Sequence, residues 1–177
     1  MTTDELILVD LSDNETGSLD KVSAHKFGKL HRAFSVFIYN DGKLLIQRRN
    51  RNKYHSGGLW ANACCSHPRV GESLGDATVR RLKEELGISC EIKELFSFVY
   101  YSKYAPDLAE YEYDHVFLGT YSGEISCDPD EIEEVRWITL DDLEREMLEQ
   151  PDNFASWFMI AAPEVIAVLR NGGSASV

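Results

Sequence analysis

The sequence predicts an α/β fold in a single domain, and three observations lead there. The chain has 177 residues, 44% of them hydrophobic, which is enough for one good core and calls for no second one. Segments of alternating apolar and polar residues stand on both sides of a segment with helical period, so strands and helices follow one another along the chain. Both kinds carry their own punctuation: Asn40-Asp41-Gly42-Lys43 is a hairpin signal between two apolar runs, and Ser73 and Gly87 bracket a helix. The domain is expected to span residues 1–170, with NGGSASV at 171–177 as a flexible tail.

The elements follow in order. LILVD, at 6–10, reads as a first strand, with a polar turn after it through Gly17. His25 and His31 then lie among turn residues ahead of a strand that starts near Ala33. The hairpin gives strands at about 34–39 and 44–47. Between residues 59 and 67 the chain reads as extended, which sets Cys65 on one face with Ala61 and Ala63, and Cys64 on the other with Asn62 and Trp60. From Ser73 the period turns helical, with Asp76 completing a variant capping box and Gly87 as the stop. At 100° per residue Val79, Leu82 and Leu86 form the expected buried stripe, and Arg81 and Glu85 lie side by side on its flank; Arg80 and Glu84 pair further out. Aromatic-rich strands follow at 91–101 and 110–121, then a short strand ending near Ile138, a helix from about Leu140, and a second helix after Pro151. Repeats and low-complexity segments are absent.

Charge narrows the partners. A formal net charge of -12 argues against nucleic acid or an anionic membrane surface, both of which ask for a basic face. The N-terminal MTTDELILVD has acids where a signal peptide has Lys or Arg, and no apolar run nears the roughly 18 residues of a span, so a cytoplasmic protein is expected. Four cysteines, two of them adjacent, make a poor disulfide framework and are read as thiols. Against this acidic background Arg48, Arg49, Arg51 and Lys53 concentrate positive charge in one loop, which suits a small polyanion.

Residues 59–88, LWANACCSHPRVGESLGDATVRRLKEELGI, hold the densest chemistry. The string resembles a degenerate Nudix box, whose pattern is G-x5-E-x7-R-E-U-x-E-E-x-G-U. Glu72, Arg80, Leu82, Glu84, Glu85, Gly87 and Ile88 fit at the right spacing, while Ser66 replaces the Gly and Arg81 replaces the first Glu of the helix. Exchanging a carboxylate for Arg removes a Mg²⁺ ligand and adds a group suited to binding diphosphate. With Cys65-Ser66-His67-Pro68 just upstream, the whole is similar to the type I isopentenyl-diphosphate isomerase family, which keeps the Nudix fold but moves a double bond. The resemblance implies a Nudix-type α/β/α sandwich with a central mixed sheet, acting as monomer or homodimer on a small-molecule diphosphate.

The same resemblance implies a site. It makes His25, His31, His67, Glu110 and Glu112 ligands of a divalent metal, and the mixed nitrogen and oxygen set suits Mn²⁺, Zn²⁺ or Mg²⁺. Mg²⁺ carried by the substrate is expected at Glu85 and the main-chain oxygen of Cys65. Lys21, Arg49, Lys53 and Arg81 are the expected diphosphate contacts, and Trp157 the pocket wall whose π-face stabilises a cation. Asp114 and His55 match no ligand position and are read as structural. In an extended chain Glu110, Glu112 and Asp114 share one face, a repulsive arrangement that solvent or a cation must relieve.

The chemistry required is the protonation of an unactivated alkene at its terminal CH₂, a tertiary cation at C3, and loss of a proton from C2. An acid and a base are needed on opposite faces. Glu112, supported by Tyr100, is expected to protonate, and Cys65 to deprotonate with its thiol acidified by nearby positive charge. Two other classes compete. A Nudix hydrolase of a diphosphate would need neither Cys65 nor the histidines. A zinc-binding module would draw on Cys64, Cys65 and His67 with Cys90 or Cys127, but lacks the C-x2-C spacing that wraps tetrahedral zinc.

Overall fold

A computed structural model describes residues 5–172. In chain order its elements are β1 (Glu5–Val9), β2 (Glu15–Asp20), α1 (Lys21–Lys26), β3 (His31–Asn40), β4 (Lys43–Arg49), β5 (Trp60–Asn62), β6 (Cys64–Ser66) and α2 (Leu74–Leu86). There follow β7 (Ile92–Ala105), β8 (Leu108–Thr120), β9 (Ile132–Thr139), α3 (Leu140–Glu149) and α4 (Ser156–Arg170). Of the expected flexible tail, residues 173–177 lie outside the described residues. Among the described residues no helix is long and apolar enough to cross a membrane.

The strands make one mixed sheet with β3 as its spine. β3 runs parallel to β8 from His31 opposite Glu112 to Tyr39 opposite Thr120, and antiparallel to β4, β6 and β1. Both faces of β3 are buried, as its run of apolar residues foretells. One face packs with α2 through Val36, Ile38, Leu45, Ala77, Leu82 and Leu86. The other packs with α3 and α4 through Phe37, Leu44, Ile46, Leu143, Phe158 and Val165. That is the expected sandwich, a sheet buried between helices on two sides.

Local chemistry accounts for the turns. Asp41 and Gly42 both take positive φ, 46° and 78°, the primed turn whose twist matches the strands it joins. Ser73 caps α2 by accepting from the Asp76 backbone N–H at 3.1 Å, and its hydroxyl donates to the Asp76 carboxylate at 2.6 Å. Gly87 ends the helix in the left-handed region at φ 67°.

Several expectations change. The polar turn expected through Gly17 ends earlier: residues 15–20 form β2, an edge strand exposed over most of its length and so lacking apolar alternation. His25 sits on α1, capped by the Asp20 carboxylate accepting from the Ser23 backbone N–H at 3.0 Å. Val79 is half exposed and does not belong to the buried stripe of α2. The buried arc runs through Ala77, Thr78, Leu82, Glu85 and Leu86, so its middle is a carboxylate, and a purely apolar reading places it too far round. The strict alternation across residues 60–66 breaks at Ala63, which packs beside Cys64 against α2, while Ala61 and Cys65 pack toward α4. The two cysteines still face opposite ways.

Candidate active site

The site opens where β3 begins, between the two strands that flank it. Antiparallel pairing sets Cys65 of β6 opposite Ser35, and parallel pairing sets Glu112 of β8 opposite His31. The β7–β8 hairpin then places Tyr100 opposite Glu112. A cavity of about 190 Å³ results. Its wall includes Cys65, His67, Tyr100, Glu110, Glu112 and Trp157, and with them the basic Lys21, Arg49, Lys53 and Arg81 and the carboxylate Glu85. His25 and His31 stand behind Glu110, buried.

Four of the five expected metal ligands converge. One ligand atom each from His25, His31, His67 and Glu110 lies within 4.8 Å of the others. Glu112 joins through Oε1, 2.9 Å from His67 Nε2 and 3.6 Å from His31 Nε2. Glu110 Oε2 lies 3.1 Å from His25 Nε2 and 3.5 Å from His31 Nε2. Yet His25 Nε2, His31 Nε2 and Glu110 Oε2 are buried and none meets hydrogen-bond geometry with a partner. Buried polar atoms rarely go unsatisfied, and three that point at one spot are what a cation would pair. The residues fit a divalent metal, and among the described residues the cluster contains no cysteine.

The charges say the same. Burial alone would raise the Glu110 carboxyl, but the imidazoles of His25 and His31 beside it and the bond from His55 hold it well below the usual range. Burial and the charge of Glu110 oppose ionisation of Glu112, and the His31 imidazole beside it together with the bond from His67 outweighs them, so it too is lowered. Burial works against a charged His31, but the two carboxylates outweigh it and push the imidazole up to about 10. Burial instead takes His67 down to about 4 despite its bond to Glu112. Two buried carboxylates thus draw one positive charge into their midst, a demand that a divalent ion meets.

Cys65 Sγ is 3.6 Å from Arg49 Nη1, whose charge favours the thiolate as expected, but burial outweighs that guanidinium and pushes the thiol up to about 12. Tyr100 donates to Glu112 Oε2 at 2.6 Å. Asp114, buried, accepts from the Ser35 hydroxyl at 2.8 Å, and burial beside Glu112 raises its carboxyl well above the ordinary value.

Among the basic residues of the cavity wall the expected contacts are present but engaged. Arg81 bonds Glu84, Glu85 and Glu131, and Lys53 pairs with the other oxygen of Glu131. Lys21 Nζ lies 5.3 Å from the Tyr54 ring centre. Arg49 covers one face of the Trp157 indole at 5.1 Å, and Trp157 Nε1 donates to Asn62 Oδ1 at 3.1 Å. Arg48 and Arg51 turn away to Glu133 and Glu134.

Sequence reasoning missed four members. His55, read as structural, donates from Nε2 to Glu110 Oε1 at 2.7 Å, and Tyr54 reaches the same oxygen at 3.2 Å. Asn62 fixes Trp157 and also donates to the Cys64 carbonyl at 2.6 Å, holding the bend that aims Cys65 at the cavity. Glu131 bridges Lys53 and Arg81. His55 and Tyr54 follow Lys53 directly, so proximity to a basic loop was the available signal. Asn62 and Glu131 carry none.

The NUDIX domain family matches residues 29–158. A protein of Aromatoleum aromaticum named isopentenyl-diphosphate Delta-isomerase 2 is 44% identical over 176 residues, covering 98% of this chain and 93% of its own. A protein of the same name from Photorhabdus laumondii is 47% identical over 154 residues, 86% of this chain and 87% of its own. Among solved structures, DR0079 from Deinococcus radiodurans superposes with a TM-score of 0.75 at 19% identity over 90% of this chain and 98% of that one, a likeness of fold.

Proposed function

The chain belongs to the isopentenyl-diphosphate Delta-isomerase family of NUDIX-domain proteins, and from that premise we propose how its residues do the work. The enzyme interconverts isopentenyl diphosphate and dimethylallyl diphosphate by adding a proton at one end of an allylic unit and removing one at the other. Cys65 and Glu112 are the proton-transfer pair. The observation that carries this is their place on β6 and β8, the strands flanking β3, lining one cavity whose wall also holds Lys21, Arg49, Lys53 and Arg81.

In the forward direction one of the pair delivers a proton to the terminal CH₂ carbon, the C3–C4 π electrons form the new C–H bond, and C3 becomes a tertiary cation. The other removes a proton from C2, and that C–H pair becomes the new double bond. The back reaction uses the same groups in reverse, so each serves as acid and base. Tyr100, bonded to Glu112 Oε2, orients the carboxyl and stabilises its charge. Trp157, held by Asn62, supplies an apolar wall next to the reacting carbons, and a dry wall keeps water from capturing the cation.

His25, His31, His67, Glu110 and Glu112 would hold a divalent ion, with the three imidazoles favouring Mn²⁺ or Zn²⁺ over Mg²⁺. Bound there, the ion supplies the positive charge that keeps two buried carboxylates together and polarises Glu112. Lys21, Arg49, Lys53 and Arg81 bind the diphosphate, and Glu85 with the Cys65 carbonyl would hold Mg²⁺ brought in with it. These residues anchor the polar end of the substrate and so set the five-carbon chain between thiol and carboxyl.

Incubation with isopentenyl diphosphate and Mg²⁺ in deuterated water tests the reading. The expected product is dimethylallyl diphosphate with solvent deuterium in a methyl group; release of phosphate would make the protein a hydrolase. Cys65→Ala should abolish label incorporation while the protein stays folded. Full turnover in that variant removes Cys65 from the mechanism.

A further inference from the structure

We infer that His55 is a positioning residue for the metal centre: its ring N–H holds the outer oxygen of Glu110, so that this carboxylate offers its other oxygen alone to the histidine cluster. This rests on the reading of Glu110 as a metal ligand. Glu110 is 1% exposed, and its two oxygens have unlike surroundings. Oε1 accepts from His55 Nε2 at 2.7 Å and from the Tyr54 hydroxyl at 3.2 Å. Oε2 has no hydrogen bond and faces His25 and His31. A carboxylate pinned through one oxygen loses its freedom to rotate, and rotation is what would take Oε2 off the ion.

The imidazole is itself fixed. Its Nδ1 lies 3.1 Å from the Ser56 hydroxyl, which donates to it and so leaves the proton on Nε2, where Glu110 needs it. Ser56 reaches that place from a left-handed backbone, φ 52°. The ring stacks on Tyr104 at 4.5 Å and 13°, and meets Trp157 edge-on at 5.9 Å. His55 therefore touches three parts of the site: the metal-ligand carboxylate, the indole of the pocket wall, and through its own backbone the loop that carries Lys53. A ring needed only for stacking would have no use for two nitrogens each within hydrogen-bond distance of a buried or local partner.

The experiment compares His55→Phe, which keeps the stacked ring but removes both nitrogens, with His55→Gln, whose amide can again donate to Oε1. Affinity for Zn²⁺ and Mn²⁺ is measured by competition with a chromogenic chelator on the full chain, with thermal melts of the metal-free protein alongside. His55→Phe is expected to weaken metal binding about 10- to 100-fold with little change in melting temperature, and His55→Gln to recover most of the loss. Tyr54→Phe, at a half-exposed residue, should weaken it less and in the same direction, and with His55→Gln it decides the matter if His55→Phe does not fold. Unchanged affinity in folded His55→Phe, or in Tyr54→Phe when that is the deciding variant, overturns the inference. If wild type binds neither ion, or Glu110→Gln binds as tightly as wild type, the reading of Glu110 falls instead.

Discussion

Glu72→Gln probes the device that holds His67 in place. Glu72 follows the His67-Pro68-Arg69 segment and grips α2 through Arg80, with Oε1 on Nε at 2.7 Å and Oε2 on Nη2 at 2.8 Å. Oε2 also accepts from the Arg69 backbone N–H at 2.9 Å. The Arg80 guanidinium bonded to it, against a smaller opposing effect of burial, lowers the Glu72 carboxyl from an ordinary 4.5 to about 2. That difference corresponds to at most about 3.4 kcal/mol at neutral pH. Solvent screening of a pair at the protein surface cuts it to roughly 1.5 kcal/mol. The sign follows from the direction: a carboxyl depressed in the folded state adds stability above 4.5, and loses it as pH falls toward 2. At pH 7 the variant should melt about 3–6 °C below wild type, given about 2–4 °C per kcal/mol at this chain length. The gap should close on acidification through that window. Thermal melts from pH 7 to pH 2 measure it, and a gap that stays constant with pH would refute the ion-pair account.

Two further outcomes follow from the site geometry. Tyr100→Phe removes a 2.6 Å bond to a buried carboxylate, worth about 1.5–3 kcal/mol when the acceptor is charged, so kcat should fall about 10- to 150-fold with a smaller change in KM. Equal losses in a variant whose metal affinity has also collapsed would show Tyr100 acting through the metal centre and not on Glu112's proton. Glu131→Gln frees Lys53 and Arg81 from a carboxylate that bridges them. Inorganic diphosphate with Mg²⁺ should then bind about fivefold tighter by calorimetry, about 1 kcal/mol for a partly exposed pair; weaker binding would instead make Glu131 part of the diphosphate site.

The sequence made some of these elements legible and hid others, for physical reasons. The capped helix, the primed hairpin and the sandwich could be read because short-range chemistry specifies them: Ser73 with Gly87, Asp41 with Gly42, and the apolar run at the centre of β3. β2 was hidden because an edge strand with both faces wet has no alternation to show. The arc of α2 was misplaced at Val79 because its centre, Glu85, is a buried charge that hydrophobic periodicity counts as surface. The candidate ligands His25, His31, His67 and Glu110 were named from family resemblance, and the fold gathers them from α1, β3, the segment after β6, and β8. His55 was set aside for the converse reason: it matches no ligand position, and its contact with Glu110 spans 55 residues, a separation no local pattern encodes.

On the proposed reading, the exchange of a Nudix-box Glu for Arg81 turns the frame from cutting phosphate bonds toward holding a diphosphate. Arg81 draws Glu84, Glu85 and Glu131 onto one guanidinium, so the cleft side of α2 presents paired carboxylates where the hydrolase pattern has a row of free ones to gather cations. With Lys21, Arg49 and Lys53 it adds positive charge to the wall of the cavity, in a chain whose net charge is -12, and that charge favours an anion there. On β8, Glu110 and Glu112 are ringed by imidazoles. On the proposed reading the cations of the same cavity wall anchor the diphosphate, and that anchoring decides which substrate atoms the thiol and the carboxyl can reach.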